Sequence, residues 1–253
     1  MKKIIHPRLG VIKYPSGITI VLPDAKNPEL AFVPWDEKKY GKKIPKEYRD
    51  IWKKTFPHLH VRSTDVHTAV SLEYLNKVLL PSFRKEVNEN IDSLVCCFGI
   101  ILHDCGWSKL TPKQISWTFQ GIKGSLDLGE KGKIAKELHL KEGFKLAKEI
   151  IKEFKLTPKQ IKKILQIVRH HDFWGEEKKY FPEFDITIDA DRIWSYTSES
   201  FWLDVIRKGK APKINLNNLG RELDFYFQTE SGKRLARKLL VERKMEVNKL
   251  YPE

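Results

Sequence analysis

Two residues at the end of a strongly apolar segment have the chemistry of metal ligands. Residues 99–102 read Gly-Ile-Ile-Leu and run directly into His103 and Asp104. Polar groups at the end of such an apolar helix are held away from water, so they need a partner. For an imidazole beside a carboxylate, we expect that partner to be a metal ion. The chain offers further candidate ligands at helix-length intervals: His67, His139, His170, His171 and Asp191.

The helices that would position the first of these ligands can be predicted from local patterns. Residues 63–65, Ser-Thr-Asp, supply a helix start, and apolar residues then recur at helical spacing as far as residue 80. His67 lies on this element. Residues 91–103 are apolar nearly all round, which predicts a helix buried at the centre of the domain. This central helix would deliver the His-Asp pair to the interior.

The hexapeptide Leu-Thr-Pro-Lys-Gln-Ile occurs twice, at residues 110–115 and 156–161. In each copy the threonine can cap a helix, the proline can take the first helical position, and the glutamine can complete a capping box. We therefore predict helix starts near Thr111 and Thr157. Glycines between residues 121 and 132 indicate a loop, which is either a lid or a plain surface loop.

Two further helices would carry the downstream histidines. A long helix over about residues 133–154 places His139 beside its buried stripe, one turn before Gly143. A glycine in mid-helix either leaves space near His139 or allows close helix packing. The helix after the second hexapeptide ends in Arg-His-His-Asp. Its period brings His171 nearer the buried face, so His171 ranks first, and His170 is a second ligand or an outer partner.

Asp191 is the last candidate ligand along the chain. It lies in residues 184–194, where apolar and polar residues alternate and three aspartates occur at spacings of four and two residues. Because Ala190 precedes it and Ile193 follows it, we predict that Asp191 begins another buried helix.

The chain divides into three segments around one main domain. Residues 1–62 predict an arm that contains a β-hairpin at 9–22 and then an irregular, proline-rich stretch. Residues 63–195 predict the helical domain that carries the candidate ligands. Residues 196–253 predict a helical C-terminal extension, whose last helix, about 230–250, has a basic and solvated face. The predicted fold class is therefore all-α with a small hairpin.

Composition limits the classes of protein to which the chain can belong. With 253 residues, of which 41% are hydrophobic and 32% charged, the chain fits one soluble domain with appendages, and no apolar run approaches a membrane span. The N-terminus breaks at Pro7, so a secretory signal is not predicted. Three cysteines without a CxxC pair favour the cytoplasm. The net charge of +14 permits a nucleic-acid partner, but the dispersed lysines favour an ordinary solvated surface.

The ordered ligands resemble the signature of the HD superfamily of metal-dependent phosphohydrolases. That signature is a histidine, an apolar helix that ends in His-Asp, and a distant aspartate, with two more histidines in the two-metal branch. The resemblance covers about residues 60–195 and implies an all-helical HD domain over residues 63–195. It implies a first ion held by His67, His103, Asp104 and Asp191, and a second ion held by Asp104, His139 and His171.

The resemblance also implies a function. Members of this kind are hydrolases that cleave a phosphate ester, here of a nucleotide or related small molecule, with a metal-activated hydroxide. One or two divalent ions of iron, manganese, nickel, cobalt or zinc would suit these ligands. The candidate catalytic residues are Asp104, Lys109 and Arg169, and the candidates to offset the charge of a bound phosphate are Arg62, Lys109 and Arg169. Of these cations, only Lys109 follows from the family's pattern. The family's His-Asp-x-Gly-Lys pattern is interrupted here by two residues before Lys109.

Two alternatives stay open at this point. The same six ligands would serve the oxygenase branch of the superfamily, which resembles myo-inositol oxygenase and uses a mixed-valent di-iron pair. The chain could also be a binding module for a nucleotide or nucleic acid that performs no turnover. The complete set of candidate ligands argues against the binding module.

Overall fold

The computed structural model describes residues 10–14, 16–87, 90–119, 129–172, 181–209 and 211–251. Over these residues the chain is mostly helical and carries a small antiparallel sheet, as predicted. In the sheet, β1 (Gly10–Lys13) pairs with β2 (Thr19–Leu22), with Gly10 opposite Leu22. The helices are α1 (Arg49–Thr55), α2 (Thr64–Tyr74), α3 (Leu80–Val87), α4 (Ser93–Leu102), α5 (Pro112–Ser116), α6 (Gly129–Ile151), α7 (Pro158–His170), α8 (Pro182–Ile193), α9 (Ser198–Lys208), α10 (Pro212–Tyr226) and α11 (Glu230–Leu250).

Helix α4 lies at the centre of the molecule, and its residues 95–102 are all buried. It begins after Asp92, whose carboxylate accepts hydrogen bonds from the backbone N–H groups of Leu94 at 3.0 Å and Val95 at 3.3 Å. The helix packs against α2, α7 and α8. The prediction of a central buried helix is confirmed, and the His-Asp pair follows its last residue directly.

Both copies of the hexapeptide begin helices, as predicted. The Thr157 hydroxyl accepts from the Gln160 N–H at 3.2 Å, and the Gln160 side-chain oxygen accepts from the Thr157 N–H at 2.9 Å. Thr111 and Gln114 make the same two bonds at 3.3 and 2.8 Å. The two copies of the hexapeptide share only the way the helix begins, because α5 has 5 residues and α7 has 13. A capping box decides where a helix begins, whereas the apolar stripe that follows decides how far it continues.

The segment that contains Asp191 differs from the prediction. Asp191 does not begin a helix, because it lies in the last turn of α8, which begins at Pro182. Proline in the first helical position favours this start. The polar residues that suggested alternation are accommodated in the helix because they find partners. The Asp189 carboxylate is buried and accepts hydrogen bonds from the backbone N–H groups of Gln228 at 2.7 Å and Thr229 at 2.9 Å.

This contact of Asp189 fixes α8 against the start of α11. Burial raises the pKa of the Asp189 carboxyl to about 7, against the effect of the hydrogen bonds that it accepts. Gly232 permits the close approach, since an added Cβ would lie 2.3 Å from Asp189 Oδ2. Asp191, two residues further along, faces α2 and the end of α4 instead.

Other helix boundaries differ by a few residues. Ser63 precedes α2 as predicted, but its backbone is left-handed, with φ of 65°, and its hydroxyl accepts from the Val33 N–H at 3.0 Å instead of capping the helix. Helix α6 begins earlier than predicted, so Gly129 and Gly132 of the predicted loop are helical. Residues 121–128, the rest of that loop, lie outside the described residues.

A contiguous hydrophobic core links the hairpin, the central helices and the C-terminal helices. It includes Ile18 just before β2 and Ile20 within it, the buried residues of α4, and Leu235 and Leu239 of α11. The N-terminal arm and the C-terminal extension therefore pack on the helices that carry the candidate ligands. None of the described helices combines the length and the apolar composition needed to cross a lipid bilayer.

Candidate metal centre

The predicted ligands converge where α2, α4, α6, α7 and α8 meet. Helices α4 and α7 both end at this point, and the residue that follows each of them is a histidine. The side chains that meet there come from α2 (His67), the end of α4 (His103 and Asp104), α6 (His139), the end of α7 (His171) and α8 (Asp191).

Five of these residues form two compact trios. The first trio is His67, His103 and Asp104, and the second trio is Asp104, His139 and His171. Within each trio, one candidate ligand atom per residue lies within 4.8 Å of the others. Either trio could hold a metal ion, and Asp104 belongs to both.

Asp104 presents one oxygen to each pair of histidines. Its Oδ2 lies 3.3 Å from His67 Nδ1 and 3.5 Å from His103 Nε2. Its Oδ1 lies 3.4 Å from His171 Nε2 and 3.7 Å from His139 Nε2. A carboxylate in this position can bridge two cations, each of which also has two imidazoles within reach.

Asp191 lies at the edge of the first trio. Its Oδ1 is 2.9 Å from His67 Nε2 and 3.4 Å from His103 Nε2. Its side chain is only 17% exposed. The first trio therefore has a second carboxylate beside its two histidines.

The donor atoms are spaced as ligands of one ion are. Two atoms bound at about 2.0–2.2 Å to one ion lie about 2.9–3.5 Å apart at octahedral or tetrahedral angles. His139 Nε2 and His171 Nε2 are 3.3 Å apart. The Nε2 atoms of His103 and His171 lie 3.4 or 3.5 Å from an oxygen of Asp104 or Asp191, and that of His139 lies 3.7 Å from Asp104 Oδ1. His67 faces Asp104 with Nδ1 and Asp191 with Nε2, so it can offer only one of these nitrogens to an ion. The residues present therefore fit a transition-metal ion.

Hydrogen bonds decide which nitrogen of two histidines faces the centre. His103 Nδ1 lies 2.7 Å from the carbonyl oxygen of Ile100, and His171 Nδ1 lies 3.0 Å from that of Val168. Because a carbonyl oxygen only accepts, each Nδ1 carries a hydrogen, and in the neutral imidazole each Nε2 then presents a lone pair. The buried Nε2 of His103 makes no hydrogen bond of acceptable geometry within the described part of the chain. Outer hydrogen bonds of this kind orient imidazoles for metal binding.

The carboxylates change the protonation of the imidazoles. Burial acts to lower the pKa of His67, but Asp104 and Asp191 outweigh it and raise the pKa to about 9. Burial also acts to lower the pKa of His171, but Asp104 and Asp172, with a further contribution from Asp191, together raise it. Burial lowers the pKa of His139 to about 3, so this imidazole is neutral at pH 7. In metal-free protein, protons bound to His67 and His171 therefore neutralise part of the negative charge of Asp104 and Asp191.

We expect the affinity for metal to increase as the pH rises from 6.5 to about 9. The pKa of His67 is raised from 6.5 to about 9, so its imidazole must lose a proton before it can bind a cation. Calorimetric titration of metal-free protein with Mn²⁺ at pH 7, in buffers of different ionisation enthalpy, measures the protons released. Heats of binding that do not depend on the buffer would contradict this prediction.

Trp107 supports both trios and was not among the predicted site residues. Its indole Nε1–H donates to Asp104 Oδ1 at 2.9 Å, and its ring stacks on His139 with the centroids 4.0 Å apart. It thus orients the shared carboxylate and one histidine of the second trio. The available signal was a tryptophan three residues after the aspartate, but such a residue is more often a packing residue than part of a site.

Arg62 lies next to the centre in an unusual backbone conformation. Its guanidinium Cζ is 4.5 Å from the centroid of the Trp107 ring. Arg62 and Ser63 are both left-handed, with φ of 59° and 65°, which is uncommon for residues with a Cβ and costly to maintain. Burial lowers the pKa of Arg62, while Asp104 and Asp172 act in the opposite direction. The guanidinium is therefore within electrostatic reach of the centre.

Five predicted site residues lie outside both trios. Two of them, Asp191 and Arg62, lie beside the centre. The other three are His170, Lys109 and Arg169. His170 is the half-buried last residue of α7, so His171 is the histidine of this pair that reaches the centre. Lys109 is exposed at the end of the turn that follows Asp104. Arg169 forms an ion pair with Glu137.

Two charged residues near the second trio were not predicted. Asp172 Oδ2 lies 3.5 Å from His139 Nε2, and Asp172 Oδ1 lies 2.9 Å from Lys136 Nζ. Burial acts to raise the pKa of Asp172, but Lys136 and the neighbouring histidines lower it to about 2. Asp172 therefore carries a negative charge beside the second trio at neutral pH. The sequence placed it at the end of α7 but could not show which way its side chain points.

Comparison of the chain with protein-family models, curated proteins and solved structures found no match.

Proposed function

We propose that the protein is a metal-dependent phosphohydrolase with a two-ion centre. The observation that carries the proposal is the position of Asp104, whose two oxygens face separate pairs of histidines. In two-ion hydrolytic sites the ions lie about 3.5–4 Å apart, a distance that one carboxylate can bridge. A buried aspartate between four imidazoles fits that role better than a purely structural one.

The order of the ligands supports the HD type of centre. The first ion would be held by His67, His103, Asp104 and Asp191, and the second by Asp104, His139 and His171. This order resembles the signature of the two-metal branch of the HD superfamily. The mostly helical fold and the buried helix that ends in His-Asp agree with the resemblance. On this basis we propose that residues 63–195 are an HD domain.

The chain's own residues would organise the reaction. When bound, the ions supply Lewis acidity and an activated water nucleophile at neutral pH. The backbone carbonyls behind His103 and His171 hold these imidazoles with Nε2 toward the centre, and Trp107 holds Asp104. Ligands that are already oriented in this way need little rearrangement when substrate binds.

The substrate class we propose is a phosphate ester of a small molecule, such as a nucleotide. Arg62 is the cation placed to bind its phosphate, because a guanidinium matches phosphate geometry and this one lies beside the centre. Lys109 and Arg169 are proposed for outer parts of the substrate. Arg169 would have to exchange its ion pair with Glu137, and Lys109 would have to reach inward from the surface.

Metal analysis of the purified protein, followed by a panel of phosphate esters, tests the proposal. We expect bound transition metal and a phosphate release that depends on it. Chelation with EDTA should abolish the release, and one or more of Mn²⁺, Fe²⁺, Co²⁺, Ni²⁺ and Zn²⁺ should restore it.

Two outcomes would contradict the proposal and favour another function. Oxygen uptake by iron-loaded protein with an organic substrate, without phosphate release, would indicate an oxygenase. Tight binding of a nucleotide or nucleic acid, without hydrolysis when any of the five metals is added, would indicate a binding module. Strong salt dependence of that binding would point to nucleic acid.

A further inference from the structure

The carboxylate of Asp172 lies beside the second trio without belonging to it. Asp172 directly follows His171, at the point where α7 ends. Its Oδ2 is 3.5 Å from His139 Nε2, and its Oδ1 is 2.9 Å from Lys136 Nζ. One oxygen therefore faces the candidate ligands while a lysine holds the other.

The centre has two halves, the first trio with Asp191 and the second trio with Asp172, and the two halves contain the same types of ligand. Each half has two histidines and one oxygen of Asp104. The first half adds Asp191, whose Oδ1 lies 3.4 Å from His103 Nε2. The second half adds Asp172, whose Oδ2 lies 3.5 Å from His139 Nε2. Asp172 thus brings a second carboxylate to one histidine of the second half, whereas Asp191 lies beside both histidines of the first, 2.9 Å from His67 Nε2 and 3.4 Å from His103 Nε2.

The ion pair with Lys136 does not by itself account for this position. The side chains of Lys136 and Asp172 are only 27% and 18% exposed, so both charges have lost much of their water. Such a loss is costly unless the charges have several partners. A lysine that holds one oxygen of a carboxylate, and leaves the other directed at a metal site, is a typical outer partner of a ligand.

We propose that Asp172 is a terminal ligand of the second ion and that Lys136 is a positioning residue that orients it. The second ion then has His139, His171, Asp104 and Asp172, a set that mirrors the first. This inference extends the proposed function, since it rests on the two-ion centre. A second carboxylate also makes the site better suited to Mn²⁺, so Mn²⁺ is the probe of choice.

Equilibrium dialysis of metal-free protein against Mn²⁺ tests the assignment. Wild-type protein should bind two ions per chain. Asp172→Asn should weaken the second ion by about 100-fold or more, because loss of an outer partner alone costs about 10- to 100-fold. Lys136→Met removes the ion pair but keeps the carboxylate, so its second ion should weaken by only about tenfold.

Asp185→Asn is the matched control, since it changes a half-buried aspartate of α8 outside both trios. It should bind both ions as the wild type does. Far-UV circular dichroism shows whether each variant keeps its helices.

Two results would overturn the assignment of Asp172 while leaving the two-ion centre intact. One is wild-type affinity for both ions in Asp172→Asn, and the other is an equal loss in Asp172→Asn and Lys136→Met. A wild-type protein that failed to bind two ions would overturn the proposed function itself. If Asp172→Asn does not fold, a crystal structure of the wild-type protein loaded with Mn²⁺ tests the assignment instead. We expect a carboxylate oxygen of Asp172 at about 2.0–2.2 Å from the second ion. A side chain turned away from that ion would overturn the assignment.

Discussion

Replacing Asp104 with asparagine should remove both metal ions and lower kcat/KM for phosphate release by about 10³-fold or more. The reason is that Asp104 directs one oxygen at each pair of histidines, so its loss affects both ions together. Bound metal contributes several kcal/mol of transition-state stabilisation, and each ~1.4 kcal/mol is worth a factor of ten in rate. Elemental analysis of the purified variant and steady-state kinetics measure the two effects.

Asparagine is the suitable replacement because its remaining oxygen can still accept the hydrogen bond from Trp107. The fold should therefore persist while the bridge is lost. Asp50→Asn, at an exposed position of α1, is the control and should change neither metal content nor rate. An Asp104→Asn protein that kept two ions and the original rate would exclude Asp104 as the bridging residue.

Replacing Gly106 with alanine should lower the free energy of unfolding by about 3 kcal/mol or more, at the upper end of overpacking effects. Gly106 lies in the turn Cys105–Lys109, which packs against α6. An added Cβ would lie 2.0 Å from the carbonyl oxygen of His139 and 2.5 Å from the backbone nitrogen of Gly143. These are backbone atoms that cannot turn aside, so the turn would separate from α6 and carry Asp104 away from His139. Urea unfolding and metal content measure the result.

Gly143→Ala is the matched control on the other side of this contact. Its Cβ would lie 3.4 Å from the Gly106 nitrogen, an ordinary contact distance. Alanine is also favoured over glycine by about 1 kcal/mol inside a helix. The free energy of unfolding should therefore change little or increase. Equal destabilisation by both substitutions would show that the close approach does not depend on Gly106 in particular. The close packing of the turn on α6 therefore depends on Gly106 and not on the lack of a side chain at Gly143.

The sequence by itself determined the helical elements and most of the candidate ligands. Local patterns suffice wherever a feature depends on near neighbours in the chain. The capping boxes at Thr111 and Thr157 began helices as predicted, and the last helix, Glu230–Leu250, matches its predicted range. The helical period likewise favoured His171 over His170, because that period decides which face of α7 is buried.

Only the tertiary structure decided which side chains turn toward one another. Asp189 and Asp191 are the same residue type two positions apart, yet Asp189 accepts hydrogen bonds at the start of α11 while Asp191 contacts His67. Trp107 and Asp172 carried no local signal that either would reach His139. Their directions follow from packing between helices that are distant in the chain, and from the need of each buried charge for a partner. Local periodicity records neither of these. The resemblance placed Asp104 in both predicted ligand sets, but only the folded chain showed that Oδ2 faces His67 and His103 while Oδ1 faces His139 and His171.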